Sequence, residues 1–309
     1  MQLVMQKEGL LKKDTDFVLI SGTSNPSLHE EIARLSGKPL FPTEIVRFPD
    51  GEIRVSFKEV IEAKKAVILQ SLGRQPNEYL VETFLIGDAL RRAGVTHIGL
   101  IAPYLAYSRQ SLQEENGTSL ASRLFAYFLH EAGIQEMRTL DLHAEHIPSF
   151  YDFPVHHFSA LEVLVEAFLK QYASDNLVVV GPDLGSAKLV GRYAEKLNRD
   201  FALVEKRRID ARNVLNLSIV GEVEGKDVLL ADDMCSTAGT LASAAQLCRE
   251  KGAKRIFAAV THGLFVERAL ELIEKSPIEH LFVTNSVPLD DSVTQCAKIS
   301  CVSCAPLLV

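Results

Sequence analysis

The sequence predicts an α/β fold with two similar domains, each a parallel sheet flanked by helices. Short apolar runs alternate with amphipathic segments along the chain. Continuous apolar strands between such helices are typical of parallel sheets covered on both faces. The predicted strands are, in order, FVLISG, KAVILQSL, HIGLIAPY, MRTLDLH, NLVVVGPD, DVLLADD and RIFAAVTHG. Helical segments SLHEEIARLSG and NEYLVETFLIGDALRRAG follow the first two strands.

A repeat divides the chain into two parts. The parallel segments are 17–37 with 177–198 and 66–103 with 227–263. Each pair has the same succession of strand, loop and helix, and the period is too long for a solenoid. We therefore expect one domain at residues 1–155 and a second at 156–309. The two differ after one strand, where the first has Gln70-Ser71-Leu72 and the second has Asp232-Asp233-Met234.

Composition excludes several classes of protein. The chain has 309 residues, of which 47% are hydrophobic, and its net charge is −7 at pH 7. This charge weighs against nonspecific nucleic-acid binding, which rests on basic surface, but leaves room for a local basic pocket that binds a small anionic substrate. The apolar runs are too short to span a membrane, and charges interrupt the first residues before a signal peptide can form. We expect a soluble cytoplasmic protein with no nucleic-acid or membrane partner.

The segment LLADDMCSTAGTLASAAQLC, residues 229–248, predicts a ligand site. In open α/β sheets, ligands bind at the carboxyl ends of strands, and this strand is expected to end at Asp232 and Asp233. Adjacent carboxylates accept hydrogen bonds from sugar hydroxyls or hold Mg²⁺ through water. Small residues before a helix allow backbone N–H groups to approach an anion. These small residues are Ser236, Thr237, Ala238, Gly239 and Thr240. The pattern suits a ribose 5-phosphate; the alternative is an N-capped helix after a solvated acidic turn.

This segment resembles the phosphoribosyl-pyrophosphate (PRPP) binding motif of type I phosphoribosyltransferases and of ribose-phosphate diphosphokinases. Over nearly its whole length the chain resembles the second family, also called PRPP synthases. The matching segments are SGTSNPSLHEEIARLSG, RFPDGEIRVSF, APYLAYSRQ, DLHAEHIPSFYDFPV, GPDLGSAK, EKRR, SVPLDD and SCAPLL. The resemblance implies two phosphoribosyltransferase-like domains, with the ATP loop in the first and the ribose 5-phosphate site in the second. It also implies transfer of the β,γ-diphosphoryl group of ATP to the C1 hydroxyl of ribose 5-phosphate, giving PRPP and AMP for nucleotide biosynthesis.

Negative charge gathers in such a transition state, so catalysis should come from positioning and from cations. The run Lys206-Arg207-Arg208 follows the strand FALVE, and a mobile basic loop that closes over phosphates fits this need. By resemblance, Lys206 and Arg208 are the catalytic residues. The alternative for this run is a solvated group of charges.

A magnesium site is implied by the resemblance at His143 and Asp183, and His143 also belongs to the implied ATP site. Mg²⁺ keeps several waters and takes few protein ligands, so two are sufficient. Simple packing is the alternative for His143. The segment HAEH also permits a zinc interpretation through His143 and His146, although no third ligand stands out.

The resemblance places ATP against RFPDGEIRVSF and APYLAYSRQ. Phe48, Asp50 and Glu52 alternate, and in an extended chain this spacing puts all three on one face. Phe48 would stack on adenine while the carboxylates accept from its amino group; the alternative is a polar hairpin face with one buried ring. Arg109 and Gln110 would contact ATP, with Arg109 forking onto phosphate oxygens. In the family this loop completes the site of a neighbouring subunit, which implies a homo-oligomer built from dimers, with a hexamer as one candidate size.

The segment from Asp183 to Lys188 resembles the pyrophosphate loop of the family. Gly185 would let the backbone approach the ligand and Lys188 would add charge. The alternative is that this segment is simply the N-capped start of a helix.

The sequence departs from the common family pattern in three places. Ser236 stands where an acidic residue is common, Leu189 where a basic one is common, and residues 111–122 contain no Lys or Arg.

Two alternatives to an active diphosphokinase remain at this point. A non-catalytic regulatory paralogue would assemble with an active enzyme; the acidic 111–122 segment permits this, while the intact Lys206 and Asp233 argue against it. A phosphoribosyltransferase would use the same sugar-phosphate loop, but the duplicated domain and the FPDGE loop would then be unexplained.

Overall fold

The structure is a computed structural model that describes residues 17–113, 115–172, 174–208 and 215–309; for residues 206–208 and 215–217 it describes the backbone alone. The chain divides into two units. Unit 1 comprises Met1–Ser159, Ser286–Pro288 and Cys304–Val309, and unit 2 comprises Ala160–Asn285 and Leu289–Ser303. Along the described ranges, no helix is both long and apolar enough to cross a membrane.

Unit 1 holds a five-stranded parallel sheet and a separate antiparallel hairpin. In chain order its elements are β1 (Phe17–Ser21), α1 (Pro26–Ser36), β2 (Thr43–Arg47), β3 (Ile53–Phe57), β4 (Lys65–Leu69), α2 (Pro76–Arg92), β5 (His97–Ile101), α3 (Ala121–Glu131), β6 (Ile134–Leu140), a 3₁₀ turn (Ile147–Phe150) and β7 (Val155–Phe158). The sheet has the order β1-β4-β5-β6-β7, and β2 pairs with β3 in the hairpin.

Unit 2 holds a seven-stranded sheet. Its elements are α4 (Leu161–Gln171), β8 (Leu177–Gly181), a 3₁₀ turn (Leu184–Ser186), α5 (Ala187–Leu197), β9 (Asp200–Arg208), β10 (Leu215–Val220), β11 (Asp227–Cys235), α6 (Gly239–Glu250), β12 (Ile256–Gly263), α7 (Ala269–Lys275), β13 (His280–Thr284), α8 (Asp291–Thr294) and β14 (Ile299–Val302). The order is β10-β9-β8-β11-β12-β13-β14; β10 is antiparallel to β9, and the pairs from β9 to β14 are parallel.

The two units share one parallel core order, β1-β4-β5-β6-β7 in unit 1 and β8-β11-β12-β13-β14 in unit 2. In each, a hairpin lies in the chain between the first two of these strands. The hairpin stands apart in unit 1 but extends the sheet in unit 2, where β9 pairs with β8. The predicted α/β fold with two similar parallel sheets is confirmed.

The apolar strands owe their composition to burial on both faces. All eight residues of β12 are buried. Phe257 packs against Phe168 of α4, with ring centroids 5.4 Å apart, whereas Ala258 and Val260 share a core cluster with Leu241 of α6. Alternate residues of a strand point to opposite faces, so each face of β12 needs apolar side chains.

The end of the chain returns to unit 1, which the division after residue 155 did not include. Helix α9 (Ala305–Leu308) packs on α1, and Leu308 shares a core cluster with Leu28. The buried Arg138 guanidinium donates to the carbonyl of Leu308 at 2.9 Å. The hydrogen bond and the apolar contacts together hold this short helix on unit 1.

His29 of α1 is a buried histidine whose ring contacts the hydroxyl of Ser21. Its Nδ1 lies 2.8 Å from Ser21 Oγ, and this hydroxyl donates to the carbonyl of Gly22 at 2.8 Å. The ring therefore donates through Nδ1–H, and its buried Nε2 has no partner among the described residues. Burial lowers the pKa of His29 from 6.5 to about 4, although a hydrogen bond with the backbone of Gly22 acts in the opposite direction, because exclusion of water disfavours the charged ring.

We expect acid to destabilise the fold through His29. The unfolded chain takes up this proton near pH 6.5, but the folded chain takes it up only near pH 4. The free energy of unfolding is therefore unaffected above pH 6.5 and falls as the pH drops towards 4, by at most about 1.4 kcal/mol for each pH unit. His29→Gln should lose less of its thermal midpoint than wild type between about pH 7 and pH 5. Equal losses in the two proteins would exclude His29 as the cause.

Candidate active site

Three aspartates gather at the carboxyl edge of the unit 2 sheet. Asp183 follows β8, and Asp232 and Asp233 lie near the end of its parallel neighbour β11. Burial raises the pKa of Asp232 to about 8, and the negative charges of Asp233 and Asp183 add to the rise. The carboxyl groups are thus close enough to repel one another. A cation or hydroxyl donors at this edge would favour the ionised form of Asp232.

Asp232 and Asp233 belong to the strand, so the prediction that the strand ends at them is wrong. Strand β11 continues to Cys235, and Asp232 pairs with Val260 of β12. The N–H of Asp233 donates to Asp232 Oδ1 at 3.0 Å, and both side chains are partly buried. The alternative of a solvated acidic turn is therefore also wrong.

The loop from Ser236 to Ala238 connects β11 to α6. Ala238 occupies the N-cap position with φ 63°, and within the described chain no side chain caps this helix end. The alternative of a side-chain-capped helix therefore does not hold. A left-handed conformation costs a residue with a Cβ about 1–2 kcal/mol. Backbone strain of this kind often lies at a functional site.

A second segment holds this loop, and sequence reasoning missed it. The N–H groups of Leu264 and Phe265 donate to the carbonyl of Cys235 at 2.9 and 3.2 Å, and that of Val266 donates to the carbonyl of Ser236 at 3.0 Å. The ring of Phe265 lies against Gly263, where a Cβ would come within 2.4 Å of a ring carbon. These contacts fix the start of the loop. The glycine that ends RIFAAVTHG was the only signal for them in the sequence.

The segment from Asp183 to Lys188 leads into a helix, as the alternative of an N-capped helix start predicted. Asp183 Oδ1 accepts from the N–H of Ser186 at 3.2 Å, and Ser186 Oγ donates to the carbonyl of Asp183 at 2.7 Å. The 3₁₀ turn that contains Gly185 leads into α5, which carries Lys188. Leu189 is buried in the core, so a packing side chain stands where a basic one is common. The pyrophosphate role stays a prediction.

The basic run lies at the end of β9, beside the aspartate edge. Strand β9 pairs with β8 as far as Leu203 opposite Gly181. It then continues to Arg208, which pairs with Leu215 of β10. The backbone of Lys206 and Arg208 therefore runs past the carboxyl end of β8. Their side chains lie outside the described part of the structure, and their catalytic roles stay predictions.

The predicted ATP loop of unit 1 is a hairpin turn. The N–H of Phe48 donates to the carbonyl of Glu52 at 2.8 Å and that of Gly51 to the carbonyl of Phe48 at 2.9 Å. The chain between β2 and β3 is thus a turn, so the extended conformation predicted for Phe48, Asp50 and Glu52 is wrong, and their role at ATP stays a prediction. The Phe48 side chain is 39% exposed, so it is not the buried ring of the alternative. Arg54 lies over the ring, 5.8 Å from its centroid.

Arg109, Gln110 and His143 lie at the carboxyl edge of the unit 1 sheet and are exposed. Arg109 and Gln110 follow β5, and His143 follows the parallel neighbour β6. His146 Nε2 lies 3.2 Å from the carbonyl of Ser111. In the residues that the structure describes, no group of three His, Cys, Asp or Glu side chains is placed to hold a metal ion, so nothing supports the zinc interpretation.

Comparison with known proteins finds matches to one family in both units. The model of the N-terminal domain of ribose phosphate pyrophosphokinase matches residues 17–133, and that of the phosphoribosyl synthetase-associated domain matches residues 204–309. A ribose-phosphate pyrophosphokinase of Aquifex aeolicus is 38% identical over 94% of this chain and 93% of its own length. One of Ralstonia nicotianae is 36% identical over 98% and 94%.

The chain belongs to the ribose-phosphate pyrophosphokinase family. A solved structure agrees with this assignment. The phosphoribosylpyrophosphate synthetase of Mycobacterium smegmatis aligns with a TM-score of 0.90 and 32% identity, covering 95% of this chain and 96% of that one. The predicted family is therefore confirmed.

The 111–122 segment, which departs from the common pattern of this family, is held at both ends. The N–H of Ser122 donates to the carbonyl of Gln110 at 3.2 Å, and His146 contacts the carbonyl of Ser111. These contacts close a loop that has no cationic side chain. The first of these contacts holds the carbonyl of Gln110, which gives the loop a structural role at this residue.

We expect Ala238 to tolerate glycine but not valine. Ala238→Gly would relieve about 1–2 kcal/mol of strain, which is offset by a lost buried methyl of about 0.8 kcal/mol and by added chain entropy of about 0.5–1 kcal/mol. Ala238→Val would place a β-branched side chain at a buried left-handed position. Its thermal midpoint should fall by more than about 4 °C.

Ala245→Val is the matched control, because Ala245 is equally buried but lies inside helix α6. A similar loss of thermal midpoint in both valine variants would mean that crowding, and not the conformation of Ala238, is responsible.

Proposed function

We propose that this chain transfers the β,γ-diphosphoryl group of ATP to the C1 hydroxyl of ribose 5-phosphate, giving PRPP and AMP. The observation that carries the proposal is the match to ribose-phosphate pyrophosphokinases over nearly the full length of both proteins. It confirms the predicted enzyme class. A phosphoribosyltransferase does not account for a family match that extends over unit 1.

The edge of unit 2 suits ribose 5-phosphate. The carboxylates of Asp232 and Asp233 would accept hydrogen bonds from the ring hydroxyls. The loop that follows, Ser236 to Thr240, would present backbone N–H groups and hydroxyls to the 5-phosphate at the start of α6. Three backbone hydrogen bonds from residues 264–266 keep the first part of this loop in place. Both ends of the sugar phosphate would thus be held by one rigid segment.

Magnesium fits the same edge. Asp183 and Asp232 supply the hard oxygen ligands that Mg²⁺ prefers, and it takes few protein ligands beside water and substrate phosphates. The raised pKa of Asp232 comes first from burial and then from the negative charges of Asp233 and Asp183, and a bound cation would favour its ionised form. When bound, the ion would neutralise phosphate charge. We propose Asp183 as a ligand of the ion; for His143, the resemblance to the family alone implies a role at a metal.

Cations of the chain would carry the chemistry. The C1 hydroxyl attacks the β-phosphorus of ATP and AMP leaves, so negative charge must be stabilised on the transferred group. The backbone of Lys206 and Arg208 runs past the carboxyl end of β8, at the edge where the sugar would lie. Arg109 would bind phosphate oxygens of ATP. With Asp183, Gly185 and Lys188 at the diphosphoryl group, the site would act by positioning and charge.

The hairpin of unit 1 would serve ATP in an assembly. Phe48, Asp50 and Glu52 lie in an exposed turn, where a ring and two carboxylates are accessible to an adenine. We propose that this turn completes the nucleotide site of a second copy, so that the enzyme is a homo-oligomer built from dimers. Gln110 would contact the same nucleotide.

A pair of variants separates binding from chemistry. Asp233→Ala should weaken ribose 5-phosphate binding at least about tenfold, because it removes a hydrogen-bond acceptor to the sugar. Lys206→Ala should leave this affinity within about threefold and lower kcat by about 10²-fold or more, because its charge matters most in the transition state. Calorimetric titration with ribose 5-phosphate and steady-state kinetics measure the two effects.

Asp200→Ala is the matched control, since Asp200 is an exposed aspartate at the opposite end of β9. It should change neither quantity. Unchanged affinity in Asp233→Ala would refute the sugar contact, and parallel losses of affinity and kcat in Lys206→Ala would refute its transition-state role.

A further inference from the structure

The edge of unit 1 that corresponds to the aspartate edge of unit 2 is occupied by a side chain of the protein itself. In β1 and β4, Phe17 pairs with Lys65; in β8 and β11, Leu177 pairs with Asp227. Counting along the strands from these pairs, Thr23 corresponds to Asp183, Gln70 to Asp232 and Ser71 to Asp233. The acidic residues of unit 2 are therefore replaced in unit 1 by hydrogen-bond donors.

These donors hold the carboxylate of Glu82. Glu82 lies on α2 and is fully buried. Its Oε1 accepts from the N–H of Thr23 at 2.7 Å and from Nε2 of Gln70 at 2.7 Å, and its Oε2 accepts from the hydroxyl of Thr23 at 2.7 Å. Three short hydrogen bonds on one buried carboxylate are the contacts that an oxyanion ligand would receive.

A second layer of contacts fixes the donors. Gln70 Oε1 accepts from the N–H of Ser24 at 3.1 Å, and Ser24 Oγ accepts from the N–H of Ser71 at 2.8 Å. The amide of Gln70 crosses the backbone at Gly22, where a Cβ would come within 2.2 Å of Gln70 Oε1. Any other residue at position 22 would displace Gln70 and so misplace a donor to Glu82. The donors to Glu82 are thus held in place by further hydrogen bonds, and this placement of Gln70 needs a glycine at position 22.

The position of Glu82 on its helix matches that of the phosphate loop in unit 2. Helices α2 and α6 are both followed by a glycine with positive φ, Gly94 and Gly252. Glu82 lies twelve residues before Gly94, and Thr240 lies twelve residues before Gly252. The carboxylate of unit 1 therefore projects from the helical position that carries the last residue of the predicted phosphate loop in unit 2.

We propose that unit 1 contains an oxyanion site, formed by Thr23 and Gln70, whose permanent ligand is the Glu82 carboxylate. Because a buried carboxylate already satisfies the donors, an added phosphate or carboxylate would meet both a filled volume and a like charge. Removing this side chain should turn the site into one that binds a small free carboxylate. The proposal does not depend on the catalytic activity.

Three variants distinguish an anion site from ordinary packing. Glu82→Ala removes the CH₂–COO⁻ group, which acetate can replace. Glu82→Gln keeps the volume filled, since its amide oxygen can accept from both N–H donors and the Thr23 hydroxyl can turn to accept from the amide. Glu78→Ala removes an exposed carboxylate of the same helix, which pairs with Arg47, and is the matched control for changes in surface charge.

The measurement is the thermal midpoint in sodium acetate and in sodium chloride at equal ionic strength. We expect Glu82→Ala to melt below wild type in chloride and to recover with acetate along a saturating curve, by about 3–6 °C at ten times the dissociation constant. Butanoate is two methylenes longer and should give no such recovery. Wild type, Glu82→Gln and Glu78→Ala should melt alike in acetate and chloride.

The absence of an acetate-specific rise in Glu82→Ala would overturn the proposal, as would an equal rise in Glu82→Gln or Glu78→Ala. If Glu82→Ala does not fold in chloride, its recovery after dilution from urea is compared in the two salts. Recovery in acetate alone supports the proposal, and equal failure in both salts overturns it.

Discussion

Burial of Asp232 beside the like charges of Asp233 and Asp183 is the constraint on which the rest of the site at the carboxyl edge of the unit 2 sheet depends. Parallel pairing of β8 and β11 brings Asp183 and Asp232 to one edge, and the burial of Asp232 limits the screening of its charge by water. Such an edge favours partners that supply hydroxyl groups or cations. The basic end of β9 and the small-residue loop before α6 lie at the same edge, where a phosphorylated sugar would complement all three features.

The corresponding edge of the unit 1 sheet carries hydrogen-bond donors in place of carboxylates. Its two strand ends carry Thr23 and Gln70, which donate hydrogen bonds, and a carboxylate from α2 satisfies them internally. Sheets with the same strand order thus carry an acidic edge in unit 2 and, in unit 1, an edge whose donors are already hydrogen-bonded to the Glu82 carboxylate. The difference comes from a few side chains at strand ends, because the sheets themselves have the same parallel order.

The sequence was sufficient to predict those features that follow from the apolar or charged character of the side chains alone. Apolar runs such as LVVVG predicted the parallel sheets, and the pair Asp232-Asp233 predicted an acidic group near the end of one strand, although the strand continues past it. It was insufficient where the backbone or a distant partner decides. The spacing of Phe48, Asp50 and Glu52 is the same in a strand and in a turn. The bonds from residues 264–266 to the loop use only main-chain atoms, and Glu82 resembles a solvated residue until Thr23 and Gln70 are seen around it.

The most direct test of the central claim is product analysis. The purified protein is incubated with ribose 5-phosphate, ATP and Mg²⁺, and AMP and PRPP are followed by chromatography. The account predicts equal amounts of the two products, both dependent on the sugar phosphate. Absence of AMP from folded protein that still binds ribose 5-phosphate would contradict it and would favour a regulatory paralogue that assembles with an active enzyme.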